Sequence, residues 1–135
     1  WIVFASDDTE FNVQSLMQAY FTHKKTGKQL VSFNTGPLYP DEGNICEHFM
    51  IRKDLIPEIG GEIFSIRFSH VGCDNLLWAK CKKLNEAARS EDAVLIHHHF
   101  KDGKTPIDET YRLGWKNVEE DRKILAEELE KLNDG

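Results

Sequence analysis

The chain opens on an apolar run, Trp1-Ile2-Val3-Phe4, that gives way at once to the polar stretch Ser6-Asp7-Asp8-Thr9-Glu10. A short continuous apolar run bounded by turn residues predicts a buried strand over 1–5. Asn12 then precedes Val13, Leu16, Met17 and Tyr20, which recur at helical spacing, and Gly27 follows them. That pattern predicts a helix with an Asn cap at its start and a glycine stop at its end. Residues 28–34, KQLVSFN, read as a second strand, and 35–44, TGPLYPDEGN, carry the Pro and Gly chemistry of a loop. Residues 48–55, HFMIRKDL, read as a third strand running into a short helix, with Pro57 and Gly60-Gly61 as punctuation.

From Asp74 onwards Leu77, Cys81 and Leu84 recur at i, i+4 and i+7 relative to Leu77, and Lys80, Lys82 and Lys83 gather towards the far end. An acid at the start and cations at the end complement the helix macrodipole, so a helix beginning at Asp74 is predicted. Residues 93–96, AVLI, form a fourth strand that ends in His97-His98-His99. The stretch from Val118 to Leu132 is amphipathic through Val118, Leu125, Leu129 and Leu132, with Glu127 and Lys131 spaced as an i,i+4 pair. Strands alternating with helices predict an α/β fold whose mixed sheet is largely parallel and flanked by helices. No repeat or linker divides it, so 1–135 is expected to be one domain, with about 1–100 forming the core and about 108–134 a closing helical segment. In parallel sheets ligands sit beyond the carboxyl ends of strands, which is where Asp7, Asp8 and the histidines fall.

Composition narrows the function classes. A net charge of −6 over 135 residues offers no overall basic footprint for nucleic acid. No apolar run approaches the ~20 residues that span a bilayer and no leader pattern opens the chain, so a soluble, cytoplasmic protein is expected. Cys46, Cys73 and Cys81 lack the paired spacing of a zinc site or a disulfide framework and are expected to be reduced.

Three polar groups stand at element ends far apart in sequence: Asp7-Asp8, Asp74 and the histidine trio. Taken singly, a carboxylate pair is often a turn and an Asp at a helix start is often a cap. Their order changes the reading. WIVFASDDTEF, then IGGEIFSIRFSHVGCDNLLWAKCKKLN, then DAVLIHHHF, resembles the family 2 glycosyltransferases of the A-type glycosyltransferase fold over about residues 1–100. The resemblance implies a metal-dependent inverting transfer of a sugar from a nucleoside-diphosphate sugar to an acceptor hydroxyl. It implies that Asp8 binds Mn2+, or Mg2+, with His97 as a further anchor and His99 as the alternative on the same strand face. Asp7, Asp8, Gly60 and Gly61 would contact the donor, and Asp74 would be the catalytic base. Cys73 and Leu76 stand where the family carries Glu and Asp, and Lys80 where Arg is common.

The Gln-x-x-Arg-Trp motif of processive members is not seen, so a single addition to a carbohydrate or other hydroxyl acceptor is expected. Family members begin with a further β/α portion that holds the nucleotide, so the resemblance also implies an N-terminal segment or a partner subunit that supplies it. Other readings of the same residues are a metal-dependent hydrolase built on Asp8 and the histidines, a non-catalytic remnant of the same fold, and an interaction domain docking through the C-terminal helix. NICEHFMIRK places Cys46, Glu47, His48 and Arg52 near the presumed active face. There a Cys46–His48 metal site competes with a reduced core thiol.

Overall fold

The computed structural model describes residues 1–36, 46–98, 103, 106–107 and 109–134. Strands β1 (Ile2–Phe4), β2 (Thr9–Glu10), β3 (Leu30–Asn34), β4 (Phe49–Ile51), β5 (Ala87–Val94) and β6 (Ile96–His97) alternate with helices α1 (Val13–Thr26), α2 (Cys73–Lys83), α3 (Glu109–Gly114) and α4 (Val118–Asp134). The class is α/β, with a four-stranded sheet ordered β1-β4-β3-β5 and a two-stranded ladder of β2 and β6. Only β3 and β5 run parallel in the larger sheet; β4 is antiparallel to both of its neighbours. The sheet is therefore mixed rather than largely parallel, and this decides where the site forms.

Period-two alternation along the central strands feeds two cores. Leu30, Phe49 and Ile51 face one side with Leu77, Trp78 and Cys81 of α2. Val31, Phe33 and Met50 face the other with Ala19 of α1 and Ala93. A sheet buried on both faces by helices is the layered solution expected of an α/β chain.

Helix α1 starts and stops where the sequence predicts. Asn12 Oδ1 accepts the Ser15 N–H at 2.8 Å, and Gly27, at φ 75°, donates its N–H to the His23 carbonyl at 2.7 Å. Its buried face differs from the expected stripe. Ser15 and Ala19 are the buried residues, whereas Val13, Met17 and Tyr20 are 73%, 51% and 44% exposed. Small residues let α1 lie close on the sheet, where Ser15 Oγ donates to the Val94 carbonyl and Thr22 Oγ1 to Ser90 Oγ. Strand β1 departs from expectation in the same sense. It is the edge of the sheet, and Ile2, Val3 and Phe4 are about two-fifths exposed rather than buried.

The strand expected over 93–96 is longer and earlier. It runs as β5 from Ala87 to Val94, with an irregularity in its pairing to β3, and turns at Leu95 into β6. Among the described residues no helix is long and apolar enough to cross a membrane. All three cysteines are free thiols.

Candidate active site and metal centre

Two strand registers intersect at the turn after β1. Phe4 pairs with Phe49 across the antiparallel β1–β4 ladder, so the chain just beyond β1 lies beside the chain just before β4. The Ser6 N–H accordingly reaches Nδ1 of His48 at 3.4 Å. Thr9 pairs with His97 across β2–β6, and the His98 N–H donates to the Asp8 carbonyl at 2.9 Å. Asp8 thereby meets residues 47–48 on one side and His97 on the other.

Asp8 Oδ2 is 3.2 Å from His97 Nε2, while Asp8 Oδ1 accepts the Ser6 hydroxyl at 2.5 Å. On the other edge of the same imidazole, Glu47 Oε2 lies 3.6 Å from Nδ1, an ion-pair separation rather than a close hydrogen bond. Glu47 first, and then Asp8, favour the imidazolium strongly enough to outweigh burial, so the pKa of His97 is raised. His48 goes the opposite way. Burial, helped by the charge of His97 4.8 Å away ring to ring, overrides Glu47 and Asp8 and lowers it to about 4. At neutral pH His48 is thus an uncharged imidazole. Its contacts to Ser6 N and Thr9 Oγ1 are both 3.4 Å, long enough to yield to a stronger ligand.

Glu47, His48 and His97 form a group that could hold a metal ion, with one ligand atom from each within 4.8 Å of the others. Asp8, on the Nε2 edge of His97, lies beside this group without being one of its members. The group's one carboxylate and two imidazoles are mixed oxygen and nitrogen donors that suit a borderline divalent cation.

Asp74 sits in the first turn of α2, behind Gly72 at φ 92°. It is half-buried, and its own backbone carbonyl accepts the Cys46 thiol at 3.3 Å, which ties the start of α2 to the residue next to Glu47. Burial raises the pKa of the Asp74 carboxyl and the negative charge of Glu47 adds to this. Its own N–H, the Asn75 N–H and His70 oppose the rise without cancelling it. Cys46 is a buried thiol whose pKa burial pushes well up, and burial pushes Cys73 up to about 11. The reduced-thiol reading of Cys46 fits this environment, and a thiolate ligand does not.

Of the residues expected at the site, the structure brings Asp8 and His97 into direct contact and sets Asp74 where it feels the charge of Glu47. Asp7 is exposed. Gly60 and Gly61 take positive φ angles of 102° and 86° after a 3-10 turn at Pro57–Ile59. A Cβ at Gly60 would lie 3.6 Å from Lys80 Nζ, six residues and about 9 Å of helix beyond Asp74, rather than against the carboxylate–histidine cluster. His99 lies outside the described residues, and His98 pairs with Glu10 at 2.6 Å. Glu47 is the functional candidate that the sequence reading did not assign. Its signal was the start of a strand rather than the end of one, and only an antiparallel β4 gives that position meaning.

No family model, curated protein or solved structure matches this chain.

Proposed function

We propose that this chain is a metal-dependent inverting glycosyltransferase of the A-type fold, or the catalytic portion of one, moving a sugar from a nucleoside-diphosphate donor to an acceptor hydroxyl. The observation that carries the reading is the 3.2 Å contact between Asp8 and His97, with Glu47 reaching both His97 and, by its charge, Asp74. Asp8, Glu47, His48 and His97 are the residues that would hold Mn2+, or Mg2+. When bound, such an ion neutralises the charge that develops on the leaving diphosphate.

The chain's own part in the reaction is proton handling and orientation. Asp74, made more basic by burial and by Glu47, is suited to accept a proton. The acceptor oxygen forms its bond to the anomeric carbon from the face opposite the diphosphate. The carbon–oxygen bond to diphosphate breaks with its electron pair, and the hydroxyl proton passes to the Asp74 carboxylate. Ser6 and Thr9 orient the carboxylate and the imidazole from the turn itself, through Ser6 Oγ to Asp8 and Thr9 Oγ1 to His48.

The deciding experiment is titration of Mn2+ with and without uridine diphosphate, followed by transfer assays with a panel of nucleotide sugars. Binding lost in Asp8→Ala and in His97→Ala supports the reading, and unchanged binding in both removes it. One observation favours a second reading: two imidazoles and one carboxylate in a single group are also a hydrolytic metal set. Zinc-dependent cleavage of a phosphoester without any sugar acceptor would move the conclusion to a metal hydrolase.

A further inference from the structure

Helix α4 is attached in an unusual way. Its apolar stripe, Leu125, Leu129 and Leu132, is only half-buried against α2, and cavities of about 660 Å3 and 700 Å3 lie along the junction. The buried residue of α4 is instead an acid, Asp121, at 1% exposure. Its carboxylate accepts three consecutive backbone N–H groups, with Oδ1 taking Ser69 at 2.8 Å and Oδ2 taking His70 at 2.8 Å and Val71 at 2.9 Å. Burial opposes the charge, but these three donors and His70 outweigh it and hold the carboxyl below the usual range.

The segment so held leads directly into Gly72 and the first turn of α2. Gly72 has φ 92°, and a Cβ there would lie 3.0 Å from the Phe68 ring, so the turn is set by the backbone conformation on either side of it. Two residues after Gly72 comes Asp74. His70, whose N–H is one of the three donors, reaches both Asp74 and Asp121 with its charge and packs on Gly114, where an added Cβ would come within 2.5 Å of the ring. Elsewhere α4 is held at the surface, by Arg67 to Glu127 and Glu128 and by Lys83 Nζ to the Leu132 carbonyl. Exposed ion pairs of this kind contribute little.

We infer that Asp121 is a positioning residue. By binding the 69–71 backbone it fixes the turn from which Asp74 is presented, so the C-terminal helix sets the geometry of the proton acceptor although it contributes no group to the reaction. The inference rests on the transferase reading for its consequence, and on the hydrogen bonds alone for its geometry. A displacement of about 1 Å at a reacting group can cost roughly 100-fold in rate.

The test compares Asp121→Asn with Leu129→Ala in the full chain. The first keeps the shape but reverses half of the acceptor; the second loosens α4 on α2 without touching 69–71. Amide hydrogen exchange is read at Ser69, His70, Val71 and Leu76, and kcat, donor KM and Mn2+ affinity are read alongside. Expected for Asp121→Asn are at least tenfold faster exchange at those four amides, a 10- to 100-fold fall in kcat, and donor KM and Mn2+ affinity within twofold of wild type. Leu129→Ala should loosen α4 and leave kcat and the 69–71 amides unchanged. Unaltered exchange at 69–76 in Asp121→Asn overturns the geometric claim. Loosened exchange with wild-type kcat, or equal losses of kcat in both variants, overturns the positioning role. If wild-type protein binds Mn2+ but transfers no sugar, the transferase reading fails and the positioning role fails with it, while the exchange data still decide whether Asp121 fixes the turn.

Discussion

The carboxylate of Asp8 and the imidazole of His97 stand 3.2 Å apart although 89 residues separate them in the chain. With Glu47 on the other edge of the ring, the imidazole is gripped by two acids. Both acids and the ring should therefore be needed by a bound cation. Asp8→Ala, His97→Ala and Glu47→Gln should each weaken Mn2+ binding by at least about 10-fold in calorimetric titration. Asp7→Ala, at an exposed position, should leave it unchanged.

Acidity should act on metal binding and on the fold in opposite ways through His97. A protonated imidazole cannot ligate, and the pKa of His97 is raised, so Mn2+ affinity should increase with pH up to that raised value and level off above it. In the metal-free protein the same shift stabilises the fold fully below the unfolded pKa near 6.5, and this contribution is lost as pH rises through the folded value. Dissociation constants measured from pH 5 to 9 beside denaturation midpoints in EDTA would show the two trends crossing.

His48 should make the fold sensitive to acid. Its pKa is lowered to about 4, so the unfolded chain binds the extra proton between about 4 and 6.5 and stability falls as pH drops through that window. The linkage is worth on the order of 3 kcal/mol at most. Urea unfolding at pH 4.5 and pH 7 should show a smaller difference for His48→Gln than for wild type.

Asp74→Asn separates chemistry from folding. On the proposed transferase reading, transfer should fall by roughly 10²–10⁴-fold, with Mn2+ affinity retained. Because burial and Glu47 raise the Asp74 pKa, its charged form costs stability at neutral pH, and the amide should melt at the same temperature as wild type or higher. Loss of transfer together with a collapse of the melting temperature would argue for a structural cap instead.

Gly114→Ala tests the seat of His70. Gly114 is in ordinary helical conformation at φ −58°, so backbone freedom is not the issue; its added Cβ would fall 2.5 Å from the His70 ring. Overpacking of this kind typically costs about 1–3 kcal/mol. A melting temperature lowered accordingly, with His70 ring resonances displaced, is the expected result.

Local signals in the sequence were readable where short-range physics decides the outcome. Asn12 and Gly27 bracket α1 because capping involves neighbours within four residues, and Asp74 with Lys80, Lys82 and Lys83 marks α2 for the same reason. The Glu127–Lys131 pair was local too, yet Arg67 pairs with both Glu127 and Glu128, and Lys131 bonds Glu128 at 2.8 Å, because a guanidinium from another segment enters the acidic face. What the sequence did not carry is set by pairing at a distance. Ala87–Glu91 shows no apolar alternation and becomes strand because β3 lies parallel beside it. Ile2–Phe4 has the composition of a buried strand but stands at an edge, which only sheet order determines. Glu47 entered the site because β4 runs against β1, a choice invisible in either strand alone.

The crossing of two ladders at residues 5–9 has a consequence for assembly. Sliding β1 by one residue along β4 would turn alternate side chains to the opposite face and separate Asp8 from 47–48, while a slip of β2 on β6 would remove His97. A cation of the right size would therefore be captured only by chains in which both long-range pairings have closed correctly. Its arrival would act as a proofreader, drawing the population away from slipped alternatives before any substrate is met.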